Sequence, residues 1–319
     1  VNEAIAGTLR RLNERREILP FTALLGLVIV SSLISKHFLS LANFRNILAQ
    51  VSIIAVLAAG ETFVILTGGI DLSPGSVLAF TGAITATLMK IEGVPVVVAV
   101  ISGLMVGSIC GLINGLFTCK VRIPSFIATL AMMAVARGGA LIVTQGVPIS
   151  LFPPNFRIIA TYIGPISGLA FIMLLIYVAG QITLSRFRVG RYIYAIGGNE
   201  EAVRFSGVKV DNVKLLAFIF SGFCAGLGGI MMNARLDAAY PIAGQGYELD
   251  AIASSVLGGV SFTGGIGSLT GTFMGALIMT ILGNVLNLLR VSAFYQYIAK
   301  GSVLAIAAIS LSRGVRFAK

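Results

Sequence analysis

The sequence predicts an all-α integral membrane protein of about ten transmembrane helices with short or broken glycine-rich segments. Three observations carry the fold class. Hydrophobic residues make up 57% of the 319 positions. Charged residues make up 11%, against roughly 25% in a soluble domain, too little polar surface for water to cover. The apolar residues come in runs near the ~20 that cross a bilayer. Burying that much apolar surface makes lipid the favoured solvent.

The runs fall at 18–35, 47–67, 76–89, 94–118, 123–144, 163–184, 213–233, 251–263, 268–289 and 294–312. The first follows Arg10, Arg11, Arg15 and Arg16. It exceeds a signal-peptide core and no A-x-A pattern follows, so a retained span is expected. The second stops at Gly68-Gly69, where a missing Cβ permits helix-ending conformations. The third starts behind Ser73-Pro74, an expected N-cap with proline at the first helical position. The fourth carries Gly103, Gly107, Gly111 and Gly115 four apart, a ridge that lets another helix approach closely. Gly222/Gly226 and Gly271/Gly275 repeat that spacing. A proline-rich segment, 145–162, precedes the sixth run, and a basic one, 185–212, precedes the seventh. The eighth is short and glycine-rich, so a broken or re-entrant element is expected there.

Lys and Arg set the orientation. With the N-terminus inside, fifteen fall on the cytoplasmic side and six opposite, with Arg137 and Lys300 inside spans. The expected organisation is a cytoplasmic segment 1–17, a transmembrane domain 18–312 and a cytoplasmic tail 313–319. The net charge of +11 is spread over short segments between apolar runs, so headgroups and topology explain it and no nucleic-acid surface is expected. Cys110, Cys119 and Cys224 lie in apolar runs and read as small buried hydrophobes, with no disulfide or metal site expected. His37, the only histidine, stands beside Lys36 at the end of the first run as an interfacial residue.

Two carboxylates need an account. Glu61 and Asp71 flank the Gly-Gly break in GETFVILTGGIDLSPGS. Asp71 can accept hydrogen bonds from the free amides of the next helix and meet its dipole. It reads either as part of a capped turn or as a polar element beside a substrate path. Glu61 lies seven residues before Gly68, about 10 Å deeper along a helix. A charge at the centre of a span costs roughly 2.5–3.5 kcal/mol even on a lenient scale, so Glu61 is expected to face a cavity or a partner. Asn114, Asn284 and Asn287 add amides inside spans, the last two on one helix face. Interhelical bonding or contact with a polyhydroxy substrate would each explain them.

The chain has no G-x-x-x-x-G-K-[ST], no H-E-x-x-H and no nucleophile elbow, so neither ATP binding of its own nor catalysis is expected. Charged residues within spans are too few for an evident proton relay. The loop GGNEEAVRFSGV (197–208) is expected to form a short helix after an acidic first turn, ended by Gly207. Outside the bilayer such a helix is a handle for another protein. The stretches 68–84 and 258–278 echo each other as a glycine-rich break followed by a small-residue helix. Duplicated halves and chance recurrence of glycine turns both fit.

Three blocks then carry a family resemblance: GETFVILTGGIDLSPGSVLAFTGAI, RYIYAIGGNEEAVRFSGVKV and GYELDAIASSVLGGVSFTGGIGSLTGT. In this order, over about residues 20 to 310, the chain resembles the permease subunits of bacterial sugar ABC importers, of the ribose permease type. Glu201 and Ala202, followed by Gly207, match the family's cytoplasmic EAA–G loop, with Val203 in place of the second alanine. The resemblance implies a homodimer in the bacterial inner membrane, both termini cytoplasmic. It implies a cytoplasmic ATPase subunit docked on Asn199, Glu200, Glu201, Ala202, Arg204 and Gly207, and a periplasmic sugar-binding protein outside. ATP would be hydrolysed by the partner subunit, with no cofactor on this chain. Glu61, Asp71, Asn114, Asn284 and Asn287 are the candidate path residues for a monosaccharide, ribose or a related pentose. A nucleoside or signalling furanose is the alternative cargo, and a self-sufficient secondary carrier the alternative mechanism.

Overall fold

Helix ends explain the chain path. The computed structural model describes residues 18–316, so the expected segment 1–17 and residues 317–319 of the expected tail lie outside it. The first helix, α1 (Ile18–Ile34), turns at Ser40, whose hydroxyl accepts the Asn43 amide and caps α2 (Leu41–Leu66). After the break at 67–73 come α3 (Pro74–Lys90), α4 (Val96–Cys119) and α5 (Ser125–Thr144). Left-handed Gln145, φ 52°, ends α5.

The proline-rich segment does not stay extended. It forms β1 (Ile149–Ser150), one turn of helix α6 (Pro154–Arg157) and a hairpin of β2 (Tyr162–Ile163) with β3 (Ile166–Ser167). Phe152 and Phe156, edge to face at 5.1 Å, bury themselves beneath it. Then follow α7 (Gly168–Arg186), α8 (Arg188–Gly198), α9 (Glu200–Phe205) and α10 (Val210–Leu236). Strand β4 (Ala238–Ala239) pairs antiparallel with β1, with Ile149 opposite Ala239. Short α11 (Tyr247–Leu257), a glycine-rich break, α12 (Leu269–Leu288) and α13 (Ala293–Arg316) complete the described chain.

A helix stands at each of the ten expected segments, and six meet the length and hydropathy of a membrane span: α2, α4, α5, α7, α10 and α12. Their roles differ. Of the apolar stretch of α2, 83% is buried, and of α10 and α12 67%, against 28% for α4, α5 and α7. The first three are therefore the interior of the bundle, and the others turn leucine and isoleucine outward. Side chains such as Leu33, Val97 and Ile142 are exposed, which suits lipid and not water. The chain is an all-α, multi-pass membrane protein.

The glycine ridge sets the closest helix pair. A Cβ on Gly107 would stand 2.5 Å from the Gly222 carbonyl oxygen, and one on Gly111 would overlap that of Phe218. So α4 and α10 touch backbone to backbone. Gly103 meets Thr85 of α3, and Gly115 meets Leu215. Gly271 and Gly275 place α12 against Gly258 and Ser254 in the same way. Such contacts replace the hydrophobic drive that lipid cannot supply between helices. All three cysteines are buried and free.

Candidate functional site

The break between α2 and α3 begins as a helix stop. Gly68 adopts φ 79° and donates to Ile65 O at 2.8 Å, while Gly69 donates to Val64 O at 3.1 Å. That is a Schellman pattern, in which a left-handed glycine lets two amides reach back. Four amides then have no helical partner, and a side chain takes each one. Ile70 N donates to Ser125 Oγ at 3.1 Å and Asp71 N to Glu61 Oε1 at 3.1 Å. Leu72 N donates to Thr129 Oγ1 at 3.0 Å and Ser73 N to Asp71 Oδ1 at 2.9 Å. Without water, an unpaired amide costs several kcal/mol, so irregular backbone survives at membrane depth only where protein supplies the acceptors. Glu61 supplies one of them from a turn and a half before the helix end.

A second layer fixes the acceptors. Asp71 accepts the hydroxyls of Ser73 at 2.6 Å and Ser221 at 2.8 Å. Asn114 Nδ2 donates to Ser73 Oγ at 3.0 Å. The cluster thus draws on α2, α4, α5 and α10, and Glu61, Asp71, Asn114 and Thr129 are all fully or almost fully buried. Glu61 Oε2 and Asn114 Oδ1 have no hydrogen-bond partner. The expected Ser73 cap is not formed, although Pro74 does open α3. Ser73 is helical (ψ −17°) and not extended, and its hydroxyl turns back to Asp71.

The other two amides lie elsewhere. Asn284 and buried Asn43 exchange side-chain hydrogen bonds at 3.1 and 2.7 Å, tying α12 to α2. Asn287 is exposed and accepts Gln296 Nε2 at 2.8 Å. Three residues apart on one helix, they meet different surroundings, and neither joins Glu61 and Asp71.

The 197–208 loop folds as expected, with one addition. Asn199 caps α9 by accepting the Ala202 amide at 2.9 Å, and Gly207, φ 84°, ends it. Glu200 pairs with Arg204 and Lys214 at 2.9 Å each, and Arg204 reaches Asp211 at 3.0 Å. Partial burial pushes the Glu200 carboxyl up, but the Lys214 ammonium and the Arg204 guanidinium together hold it below its ordinary value. Glu201 and Ala202 face outward, and Phe205 is 86% exposed. The addition is α8, an amphipathic helix lying before α9.

Glycine lets α8 reach the breaks. A Cβ on Gly197 would overlap the Gly265 amide nitrogen and the Leu66 carbonyl oxygen. Gly265 N donates to Leu66 O at 2.9 Å, and Gly264 packs on the Gly68 amide. Tyr194 OH donates to Gly267 O at 3.0 Å. The 67–73 break, the 258–268 break and the end of α8 therefore meet in one place. Behind it, Thr62 Oγ1 bonds to Ser255 at 3.0 Å and to Thr272 at 2.8 Å, joining α2, α11 and α12. Sequence reading missed Ser125, Thr129, Ser221 and this glycine junction. Hydroxyls inside apolar runs were the available signal for the first three. Among the described residues no group of three or more His, Cys, Asp or Glu could hold a metal.

Comparison with known proteins agrees with this architecture. Residues 43–309 match the family model described as the branched-chain amino acid transport system/permease component. The chain is 45% identical over 292 residues to the ribose import permease protein RbsC of Escherichia coli (strain K12), covering 90% of this chain and 91% of that one. It is 45% identical over 293 residues to that of Bacillus subtilis (strain 168), covering 91% of each. With the D-allose transport system permease protein AlsC of Escherichia coli (strain K12) the identity is 39% over 287 residues, covering 89% and 87%. No solved structure matches the chain. The chain belongs to the permease family of ABC transport systems, as a membrane-embedded transport subunit.

Proposed function

We propose that this chain is the membrane-spanning permease subunit of an ATP-driven importer for ribose or a related pentose. It works as a homodimer in the bacterial inner membrane, with about ten helices crossing and both termini cytoplasmic. The observation that carries the mechanism is the junction of Gly197 with Leu66 and Gly265. It couples an exposed handle to both interrupted helices. The identity to ribose import permeases over nine-tenths of the chain supports the cargo.

In this reading an ATPase subunit grips α8 and α9 through Asn199, Glu200, Glu201, Ala202, Arg204, the exposed Phe205 and the Gly207 turn. Displacement of α8 moves the two breaks that it touches. ATP is bound and hydrolysed by that partner, and this chain holds no cofactor. A periplasmic binding protein delivers sugar to the opposite face, formed by 145–167 and 237–246. Glu61, Asp71 and Asn114 serve the path by holding the inner break in shape, while Asn284 pins α12 to α2 and Asn287 stands nearer the outer surface.

Co-reconstitution tests the reading. Vesicles holding the permease and its ATPase, with binding protein outside, should accumulate ribose only when ATP is supplied to the ATPase face. Ribose flux through the permease alone would make it a self-sufficient carrier and overturn the proposal.

A further inference from the structure

A cavity of about 210 Å³ lies between α11, α12 and α13, away from the break cluster. Four of its lining residues carry the argument: Asp250, Gln296, Tyr297 and Lys300. Lys300 Nζ donates to Asp250 Oδ2 at 2.6 Å, with the Asp250 side chain 2% exposed and that of Lys300 25%. The second oxygen, Asp250 Oδ1, has no partner. An ion pair within the helices of a membrane protein is expensive, and apolar residues would pack the same space more cheaply. Such a pair is retained where it does something besides pack.

We infer that this cavity is a binding site for one monosaccharide on the permease itself, a station on the route through the membrane. The inference rests on the proposed function and names where the cargo is held. A sugar ring offers hydroxyls that both donate and accept, and one apolar C–H face. Asp250 and Lys300 supply an acceptor and a donor of no net charge, suited to a neutral polyol. The Tyr297 ring, 54% exposed, offers a flat face for the C–H surface. Gln296 is oriented for the rim by donating to Asn287 Oδ1 at 2.8 Å and Val291 O at 3.0 Å. The volume falls below the ~300 Å³ from which drug-sized pockets begin, which fits a single ring and not a disaccharide. A lipid phosphate would bring its negative charge beside Asp250, so the chemistry favours the neutral ligand.

The test uses the complete complex with its ATPase and binding protein in vesicles. Lys300→Met should lower ribose moved per ATP hydrolysed by about tenfold, the scale of a lost charge-assisted hydrogen bond, and Tyr297→Ala should lower it by several-fold, about the scale of a lost ring contact. The native cysteines are all buried, so Leu249→Cys, at another lining position, places an accessible thiol at the cavity. Saturating D-ribose should slow its alkylation by maleimide in the assembled complex. Unchanged ribose per ATP in both variants would overturn the assignment. So would alkylation slowed by inorganic phosphate and not by ribose, or blocked before sugar is added because a second copy covers the cavity. A wild-type complex that moves no ribose would instead overturn the function on which the site depends.

Discussion

The backbone amide of Asp71 donates to the side chain of Glu61 at 3.1 Å, across a helix break that ten residues of sequence separate. A carboxyl group inside a span is here an acceptor built for a peptide amide that lipid cannot serve. Replacing Glu61 with Leu would leave that amide unpaired, at about 1–3 kcal/mol. Glu61→Gln keeps an acceptor in the same place. Thermal unfolding in detergent should therefore fall clearly for the leucine variant and stay near wild type for glutamine; equal melting of the two would remove the acceptor role.

The α8 junction predicts a coupling defect. Gly197→Ala introduces a Cβ against two backbone atoms, which cannot swing aside as a side chain would. Overpacking of this kind costs typically about 1–3 kcal/mol and shifts the backbone. ATPase subunits should still co-purify with the variant, while ribose accumulated per ATP drops. Loss of co-purification with normal coupling in the remainder would contradict the placement.

Phe205 is the exposed apolar residue of the handle. Truncating a buried aromatic anchor costs an interface about 2 kcal/mol or more, whereas truncating a ring that touches little in the free chain leaves folding alone. Phe205→Ser should thus weaken ATPase binding, measured by titration on nanodiscs, at unchanged melting temperature.

The Glu200 pairing gives a pH dependence. Its carboxyl is held below the ordinary value in the folded chain. The stabilisation is therefore fully present above the unfolded carboxyl pKa and is lost as pH falls through the folded one. Hydrogen exchange at the amides of 200–205, corrected for intrinsic rate, should stay protected from neutral pH down to the ordinary glutamate range and lose protection as the pH falls below that range. Glu200→Gln should weaken that dependence, leaving the part carried by the Arg204–Asp211 pair.

The glycine ridge separates structural glycines from neutral ones. Gly111→Val would drive a side chain into the Phe218 carbonyl and part α4 from α10. Gly138→Ala meets nothing within 4 Å. The first should cost well over the ~1–3 kcal/mol of an ordinary overpacking, and the second should be close to silent. Detergent melting curves of the two would check this.

Much of the fold was legible because membrane helices announce themselves locally. Apolar runs, Gly68, the Pro74 start and the Gly207 stop each act within a few residues of where they stand. The cluster around Asp71 was half legible. Its carboxylates stood out against an apolar background, but Ser125, Thr129 and Ser221 are unremarkable hydroxyls until folding brings α5 and α10 to the break. Asn284 and Asn287 make the interhelical bonds that were one of the two readings open to them, but not to one shared neighbour. A spacing of three predicts a shared face, yet each amide is assigned by the neighbour it meets, Asn43 for one and Gln296 for the other. The proline-rich 145–162 stretch hid its strands, because β1 gains its partner from distant β4 and β2 from β3, which lies beyond the stretch.

The reciprocal amide bonds of Asn43 and Asn284 act as a bolt between two rods. Hydrocarbon offers neither group a replacement, so sliding α12 one turn along α2 would forfeit both bonds together. These helices must travel as one lever during any transport stroke, and whatever relative motion the cycle needs has to arise at the glycine-rich breaks at their far ends, 67–73 and 258–268.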